Sequence, residues 1–485
     1  MTMGPMPEEI NSSLGQVDVP ERGTAPTKDS AQGHSLSHFL RLLFRLLDEH
    51  QIRYCVLHSW EGLPDKLPSD LDMAVPPRDV AKVAFVFRAL ADQGYQPVQC
   101  LNHAESGYCF HFVWFEGAAL KSISVDLIYE YRRGGLVLTP GEELVARRQR
   151  RGLLWTADPA TEFAYLLAKK TFKGFVPARQ EQRLKRLVEE LGQPEAERVA
   201  APLFGERWKG PVVESCANGC AGDLLGKLKK RLWWTVVSRE PLNPVRCALG
   251  NAARLVRRWF QPTGLFVVVL GPDGVGKSTL IERLTRVIAP PFQSQKIFHL
   301  RPMLLWRRHQ TGPVTDPHGR SPRSRLGSVA KLVALLPDYW LGYGLLVRPL
   351  LARSGLVVFD RYFHDLLVDP KRYRYAGPMW LARLFSRIVP GPDLLFLVLD
   401  APEQVILSRK REVLIDELRR QRVAYHNLKD SLAGAVLIHT DRDIDSVLTD
   451  SFRAIMEHLA RRFRRRHAGW LAVQADSGWQ TAHNS

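Results

Sequence analysis

The chain has 485 residues, 45% hydrophobic and 24% charged. These ordinary globular values exclude wholesale disorder, a collagen-like or coiled-coil rod and, with only six cysteines, a disulfide scaffold. The length exceeds what one hydrophobic core sustains, so two domains plus extensions are expected. A formal charge of +18 attracts polyanions, whether nucleotides, nucleic acid or anionic lipid, without choosing among them.

Residues 1–34 are rich in Pro, Gly, Ser and Thr and read as a disordered tail. They lack a basic start followed by an apolar stretch, so no signal peptide is expected. The cysteines read as reduced thiols of a cytoplasmic protein, and Cys216 and Cys220 lack zinc-site spacing. Leu36, Phe39, Leu40, Leu43 and Leu47 fall at helical spacing. Short strands are predicted at 54–57 and 71–75, and a hairpin at 108–115 and 122–128 across Glu116-Gly117. A helical pattern runs over 160–191. Helices and connectors follow to about 260, with Trp233 and Trp234 expected as inter-domain core. From Gly264 the character changes. Apolar runs at 265–270, 355–360, 394–400 and 435–438 alternate with helical patterns, as strands of a parallel sheet do. The stretch 329–351 carries Lys331, Asp338 and Arg348, so it reads as a buried helix rather than a membrane span. The fold class expected is α/β: a carboxy-terminal parallel-sheet domain (263–467) beside a smaller amino-terminal α+β domain. The latter covers 35–210, followed by a helical connector (211–262); residues 468–485 form a tail. The arginine run at 461, 462, 464, 465 and 466 reads as the solvated end of a last helix or as an anionic contact.

Gly271-Pro-Asp-Gly-Val-Gly-Lys-Ser-Thr279 matches the phosphate-loop pattern G-x-x-x-x-G-K-[ST] between a predicted strand and a predicted helix. Gly271, Gly274 and Gly276 let backbone N–H groups converge on phosphate oxygens, and the helix beginning Lys277-Ser278-Thr279 adds its positive end. Lys277 is placed to reach the β- and γ-phosphates of ATP, and Ser278 to ligate Mg²⁺. A guanine-reading N-K-x-D is missing after the loop. Asp360-Arg361-Tyr362 ends the run Val357–Phe359. An acid there sits where open α/β sheets bind ligands. Asp360 could hold the metal or its water and Arg361 could bridge phosphates; the alternative is a strand-end ion pair.

These residues resemble thymidylate kinase and related nucleoside monophosphate kinases over about 264–459. Asp273 matches a loop carboxylate of that family, Asp360-Arg361-Tyr362 its Asp-Arg-Tyr motif, and the segment from Asp400 through Arg409 and Arg411 its mobile lid. Arg420, Arg422 and Tyr425 resemble the helix after the lid. The resemblance implies ATP and Mg²⁺ as cofactors, a small phosphorylated acceptor oriented by Asp273, and one lid arginine, Arg409 or Arg411, on the transferring group. Homodimers are common in that family. The turn His299-Leu-Arg301-Pro302 and the basic stretch to Arg325, six arginines against one aspartate, depart from its pattern. The stretch 360–378 is similar to divergent relatives linked to bacterial surface polysaccharide. Nucleic acid is not the expected partner.

In the amino-terminal half, Asp70 and Asp72 alternate on one predicted strand and Asp126 lies on another. Three such carboxylates can hold two divalent ions for phosphoryl transfer. The layout resembles the minimal nucleotidyltransferase superfamily, in which Gly-Ser precedes Asp-x-Asp; here His58-Ser59 replaces Gly-Ser. The resemblance implies a metal site at Asp70, Asp72 and Asp126. The half is expected either to retain transferase chemistry or to survive as a binding module. Three functions follow: an ATP-dependent kinase with or without nucleotidyl transfer, a nucleotide-binding regulatory module, and a polyanion-stimulated ATPase.

Overall fold

The computed structural model describes residues 34–103, 106–133, 136–239, 241–288, 291–304, 321, 323–391, 395–410 and 414–472. Of the tails expected at 1–34 and 468–485, residues 1–33 and 473–485 lie outside these residues, as do most of the basic stretch at 301–325 and Arg411, while 468–472 form a short last helix rather than tail. The periodicity after Ser35 becomes helix α1 (Leu36–Glu49). The Ser35 hydroxyl accepts from the His38 N–H at 3.1 Å, satisfying one of the free donors of the first turn.

Strands β1 (Cys55–Val56), β2 (Leu71–Ala74), β3 (Gln96–His103), β4 (Gly107–Glu116) and β5 (Ala119–Ile128) are followed by a small pair, β6 (Tyr131–Arg133) and β7 (Leu136–Thr139). With β8 (Gln149–Arg151) and β9 (Leu154–Thr156), all but that pair form one sheet ordered β3-β4-β5-β2-β1-β9-β8. The expected hairpin is present: β4 and β5 pair antiparallel from Gly107–Ile128 to Glu116–Ala119. Gly117 makes its turn with φ 61°, a conformation that favours glycine. β2 runs parallel to β5 and sets Asp72 in register with Asp126. Helices α1 and α2 (Val83–Asp92) cover one face, burying Phe39, Phe87, Phe112 and Trp114.

After α3 (Gly141–Ala146), the other face receives α4 (Pro159–Lys173), α5 (Ala178–Leu191), α6 (Gln193–Phe204), α7 (Glu206–Ala217) and α8 (Ala221–Arg239). The helical pattern at 160–191 is thus two helices, because Gly174 takes a left-handed cap at φ 80° and Pro177 begins the next. A single core runs from Cys55 through Leu232. Leu225, Leu228 and Leu232 form the inward stripe of α8. That register turns Trp233 and Trp234 outward, 42% and 64% exposed, rather than into the inter-domain core expected for them. α9 (Asn243–Phe260) leads to the second half.

There β10 (Leu265–Leu270), β11 (Gln295–His299), β12 (Leu356–Asp360), β13 (Leu395–Asp400) and β14 (Val436–His439) form a parallel sheet ordered β11-β12-β10-β13-β14. Every residue of β10 is buried, the signature of a strand covered on both faces. Between and after the strands lie α10 (Lys277–Val287), α11 (Arg325–Gly342) and α12 (Arg348–Ala352), the last two joined by a π-turn, then α13 (Asp365–Val368), α14 (Met379–Ile388), α15 (Glu403–Arg409), α16 (Ile415–Ser431), α17 (Ile444–Arg466) and α18 (Ala468–Ala472). The stretch expected as a buried helix at 329–351 is only half buried: Leu332, Asp338 and Tyr339 face the core while Trp340 and Leu345 are exposed. Among the described residues no helix is long and apolar enough to cross a membrane.

α17 packs on β3 and sends Phe463 into the core beneath α1. Arg462 is buried and donates to the carbonyls of Gly264 at 2.6 Å and Thr263 at 3.0 Å; Arg466 donates to Pro262 at 2.7 Å. Two arginines of the run expected to be solvated are therefore structural. They bind the carbonyls just before and at the approach to β10, where the chain enters the parallel sheet.

Candidate active site

β10 delivers the chain into the loop 271–276 and α10 takes it away. Gly271, Gly274 and Gly276 have φ 146°, 84° and 101°. A Cβ on Gly271 would come within 2.7 Å of the Leu399 carbonyl oxygen, so the loop can lie this close to β13 only without one. Lys277 Nζ curls back over the loop to the carbonyls of Gly271 at 2.9 Å and Pro272 at 2.7 Å. Desolvation, then repulsion from Arg361, pushes the Lys277 pKa down to about 8. Ser278 and Thr279 are exposed on the first turn of α10, beside its positive end.

Asp273 is the hub of the loop. Its carboxylate pairs with both Arg361 and Arg372 and lies 3.7 Å from Lys277 Nζ. Burial alone would raise its pKa. Arg361, Lys277 and Arg372 outweigh that and hold it well below the usual carboxylate range. Arg361 leaves the end of β12 in a left-handed conformation, φ 68°, with its N–H on the Val269 carbonyl at 3.0 Å. A non-glycine residue there is strained, a feature common at functional sites. Its guanidinium also reaches Asp365 Oδ2 at 2.7 Å. Asp365 is fully buried and accepts from the hydroxyls of Tyr373, at 2.7 Å, and Tyr425. The Arg361 guanidinium is thus clamped between two carboxylates, one on the phosphate loop and one on α13.

Asp360 and Arg361 do not pair with each other. Asp360 Oδ2 meets His299 Nδ1 at 3.3 Å. Its Oδ1 is buried and finds no hydrogen-bond partner among the described residues. Burial opposes ionisation of Asp360, but His299 and Lys277 keep its pKa lowered. An ionised, under-bonded carboxylate oxygen near the start of α10 fits a divalent cation or its water shell, with Ser278 the hydroxyl on offer.

Arg409 closes α15, and a Cβ on Gly276 would lie 3.9 Å from its Nη1. Its Nη2 donates to the Thr440 carbonyl at 3.0 Å. Arg409 therefore borders the loop, whereas Arg411 lies outside the described residues. Of the helix after the lid, Tyr425 reaches the site through Asp365. Arg422 instead grips Asp400 with two bonds of 2.7 and 2.9 Å, and Arg420 pairs with Glu417. Arg301 is held by buried Asp338 at 2.8 Å. Sequence reading missed Arg372, Asp365 and Tyr373. One local signal existed: Asp365 stands four residues after Arg361, one helical turn on.

The amino-terminal acids are arranged differently from expectation. Asp72 is buried, and Lys169 Nζ lies 2.8 and 2.9 Å from its two oxygens. His58 Nε2 is 2.8 Å away and the Tyr165 hydroxyl donates at 3.2 Å. Burial would raise the Asp72 pKa, but Lys169 and His58 hold it well below its ordinary value. Asp70 sits at the exposed approach to β2; desolvation of its carboxyl and then Asp126 and Asp72 raise its pKa. Among the described residues no group of three or more His, Cys, Asp or Glu side chains could hold a metal ion. The three acids expected to form a metal site, Asp70, Asp72 and Asp126, are not gathered into such a group among the described residues. An ammonium from α4, which the sequence reading did not single out, pairs with Asp72.

A thymidylate kinase of Xanthomonas oryzae pv. oryzae aligns over 213 residues at 29% identity, 42% of this chain and 87% of the relative. Over that stretch the chain is thymidylate kinase-like. Thymidylate kinases of Xanthomonas euvesicatoria pv. vesicatoria and Xanthomonas campestris pv. campestris align at 29% identity over 42% of this chain and 88% of their own. This homology supports a nucleotide-binding phosphotransferase. A solved thymidylate kinase from Candida albicans covers 41% of this chain and 93% of its own, with 14% identity and a TM-score of 0.31, a likeness too slight to add to the assignment. No family model matches the chain.

Proposed function

We propose that the chain is an ATP- and Mg²⁺-dependent phosphotransferase of the nucleoside monophosphate kinase type, acting in the cytoplasm on a small phosphate-bearing acceptor. The observation that carries this reading is the convergence of Lys277, Arg361 and Arg372 on Asp273 at the carboxyl ends of β10 and β12. Three cations thus stand where a phosphate loop meets its ligand, with Asp273, Asp365 and Asp360 balancing their charge in the free fold. Positioning and charge stabilisation make up most of phosphoryl-transfer catalysis. Lys277 would exchange its loop carbonyls for phosphate oxygens. Arg361, fixed by Asp365, would meet the transferring group, with Arg409 entering from the α15 side. Asp273 would hold Arg361 and Arg372 in place and leave its remaining capacity to the acceptor. Ser278 and Asp360 are the residues that would hold Mg²⁺, which would supply neutralisation of phosphate charge there. Thymidylate heads the acceptors to try, as the substrate that the relatives' name implies.

The amino-terminal half is read as a nucleotidyltransferase-like sheet that serves as a binding module. The supporting observation is the Lys169–Asp72 pair, which gives Asp72 a counter-charge from within the chain. A panel of nucleoside monophosphates and phosphorylated sugars, with labelled ATP and the full chain, tests the proposal. Label transfer to a small acceptor, lost in Lys277→Ala, supports it. ATP hydrolysis stimulated by polyanions alone, with no acceptor labelled, would replace it with the ATPase reading.

A further inference from the structure

α9 is an amphipathic helix mounted the wrong way round for a soluble protein. None of its described side chains is buried. On a helical wheel Val245, Leu249, Val256, Trp259 and Phe260 share one face, and all are exposed, Leu249 by 65% and Phe260 by 74%. The arginines take the opposite side. Arg254 and Arg258 point inward and donate to the Asn102 carbonyl at 3.1 and 3.3 Å, while the helix rests on α12. Arg246 and Arg257 flank the apolar stripe. The helix is thus anchored to the fold by its polar face and presents its apolar face outward. The neighbouring sequence is strongly basic, with nine Lys and Arg against one Glu over 224–262. The helix that leads into it carries the exposed Trp233–Trp234 pair, rings 5.1 Å apart.

We propose that α9 is an interfacial helix that lays this protein on an anionic lipid surface. The stripe would enter the boundary between headgroups and acyl chains, and Arg246, Arg257 and the α8 lysines would meet lipid phosphates. That pattern of apolar and Trp/Phe face with basic flanks is what interfacial helices show. Exposed tryptophans favour the same depth. The helix is too basic to span, with four arginines in its 18 residues. A second copy is the poorer occupant, because face-to-face pairing would bring the flanking arginines of the two copies together. Nucleic acid would satisfy the arginines but leave the stripe in water.

The full chain would be sedimented with vesicles of phosphatidylcholine alone and of phosphatidylcholine mixed equally with phosphatidylglycerol. Binding is expected to the mixed vesicles only, falling as salt rises. Leu249→Asp and Val256→Asp should each weaken it roughly tenfold or more, the scale of burying one such side chain. Arg246→Glu with Arg257→Glu should weaken it while leaving unfolding temperature unchanged, since all four positions lie outside the buried core. Absence of vesicle binding would overturn the proposal. So would binding indifferent to Leu249→Asp and Val256→Asp, which would mark simple adhesion of a basic protein. A concentration-dependent dimer abolished by those same substitutions, without vesicle binding, would assign the face to a second copy instead.

Discussion

Lys169 Nζ lies within 2.9 Å of both carboxylate oxygens of Asp72, so the acid aligned with Asp126 across β2 and β5 has its counter-charge built in. Lys169 comes from α4, and His58 closes the other side at 2.8 Å. Removing one partner of a buried pair leaves an uncompensated charge, which costs far more than the pair contributes. Lys169→Met should therefore destabilise the chain by roughly 3 kcal/mol. Asp72→Asn combined with Lys169→Met should recover a large part of that loss. Chemical denaturation of the four members of the cycle measures the coupling; additive losses would mean that Lys169 does not neutralise Asp72.

Metal dependence should belong to the carboxy-terminal half. Mg²⁺ with ATP is expected to raise the unfolding temperature, because a ligand that binds only the folded state stabilises it. Asp360→Asn should remove most of the Mg²⁺-dependent part of that shift, since Asp360 carries the under-bonded oxygen. Asp126→Asn should leave it intact. Thermal unfolding with and without EDTA separates these; a shift abolished by Asp126→Asn would restore the amino-terminal metal site.

Arg361 should govern turnover. It is buried, pairs with Asp273 and Asp365, and stands at the end of β12. Arg361→Gln should lower kcat by roughly 10²-fold, as losing one positioned donor to developing charge commonly does. It should also destabilise the fold by leaving Asp365 without its cation. Steady-state kinetics on the fraction shown to be folded distinguishes the two effects. An unchanged kcat would reduce Arg361 to a structural ion pair.

Proton uptake should accompany nucleotide binding in alkaline solution. The Lys277 pKa lies at about 8 in the free fold against 10.5 for an ordinary lysine, chiefly from desolvation. Between those values the folded chain holds fewer protons than the unfolded one, so this group's contribution to stability rises with pH across that window. Bound phosphates favour the ammonium. Affinity for nucleotide should therefore fall as pH rises through about 8. Calorimetry in buffers of different ionisation enthalpy should show uptake there, absent in Lys277→Met.

Much of the kinase-like half is legible in the chain itself. A buried parallel strand must be apolar throughout, and a loop that cradles phosphate needs glycines and a lysine at fixed spacing, so β10, the 271–276 loop and α10 announce themselves locally. The helix Leu36–Glu49 and the hairpin at Gly117 follow for the same reason: their signals lie within a few residues. What partners a charge is not local. Asp273 meets Arg372 ninety-nine residues away, and Asp72 meets Lys169 across ninety-seven. Nothing in Asp-Leu-Asp distinguishes a carboxylate awaiting a metal from one already neutralised by an ammonium. The outward face of α9 shows the same limit. Its periodicity marks an apolar stripe, but only the packing of Arg254 and Arg258 against Asn102 decides that the stripe points to solvent.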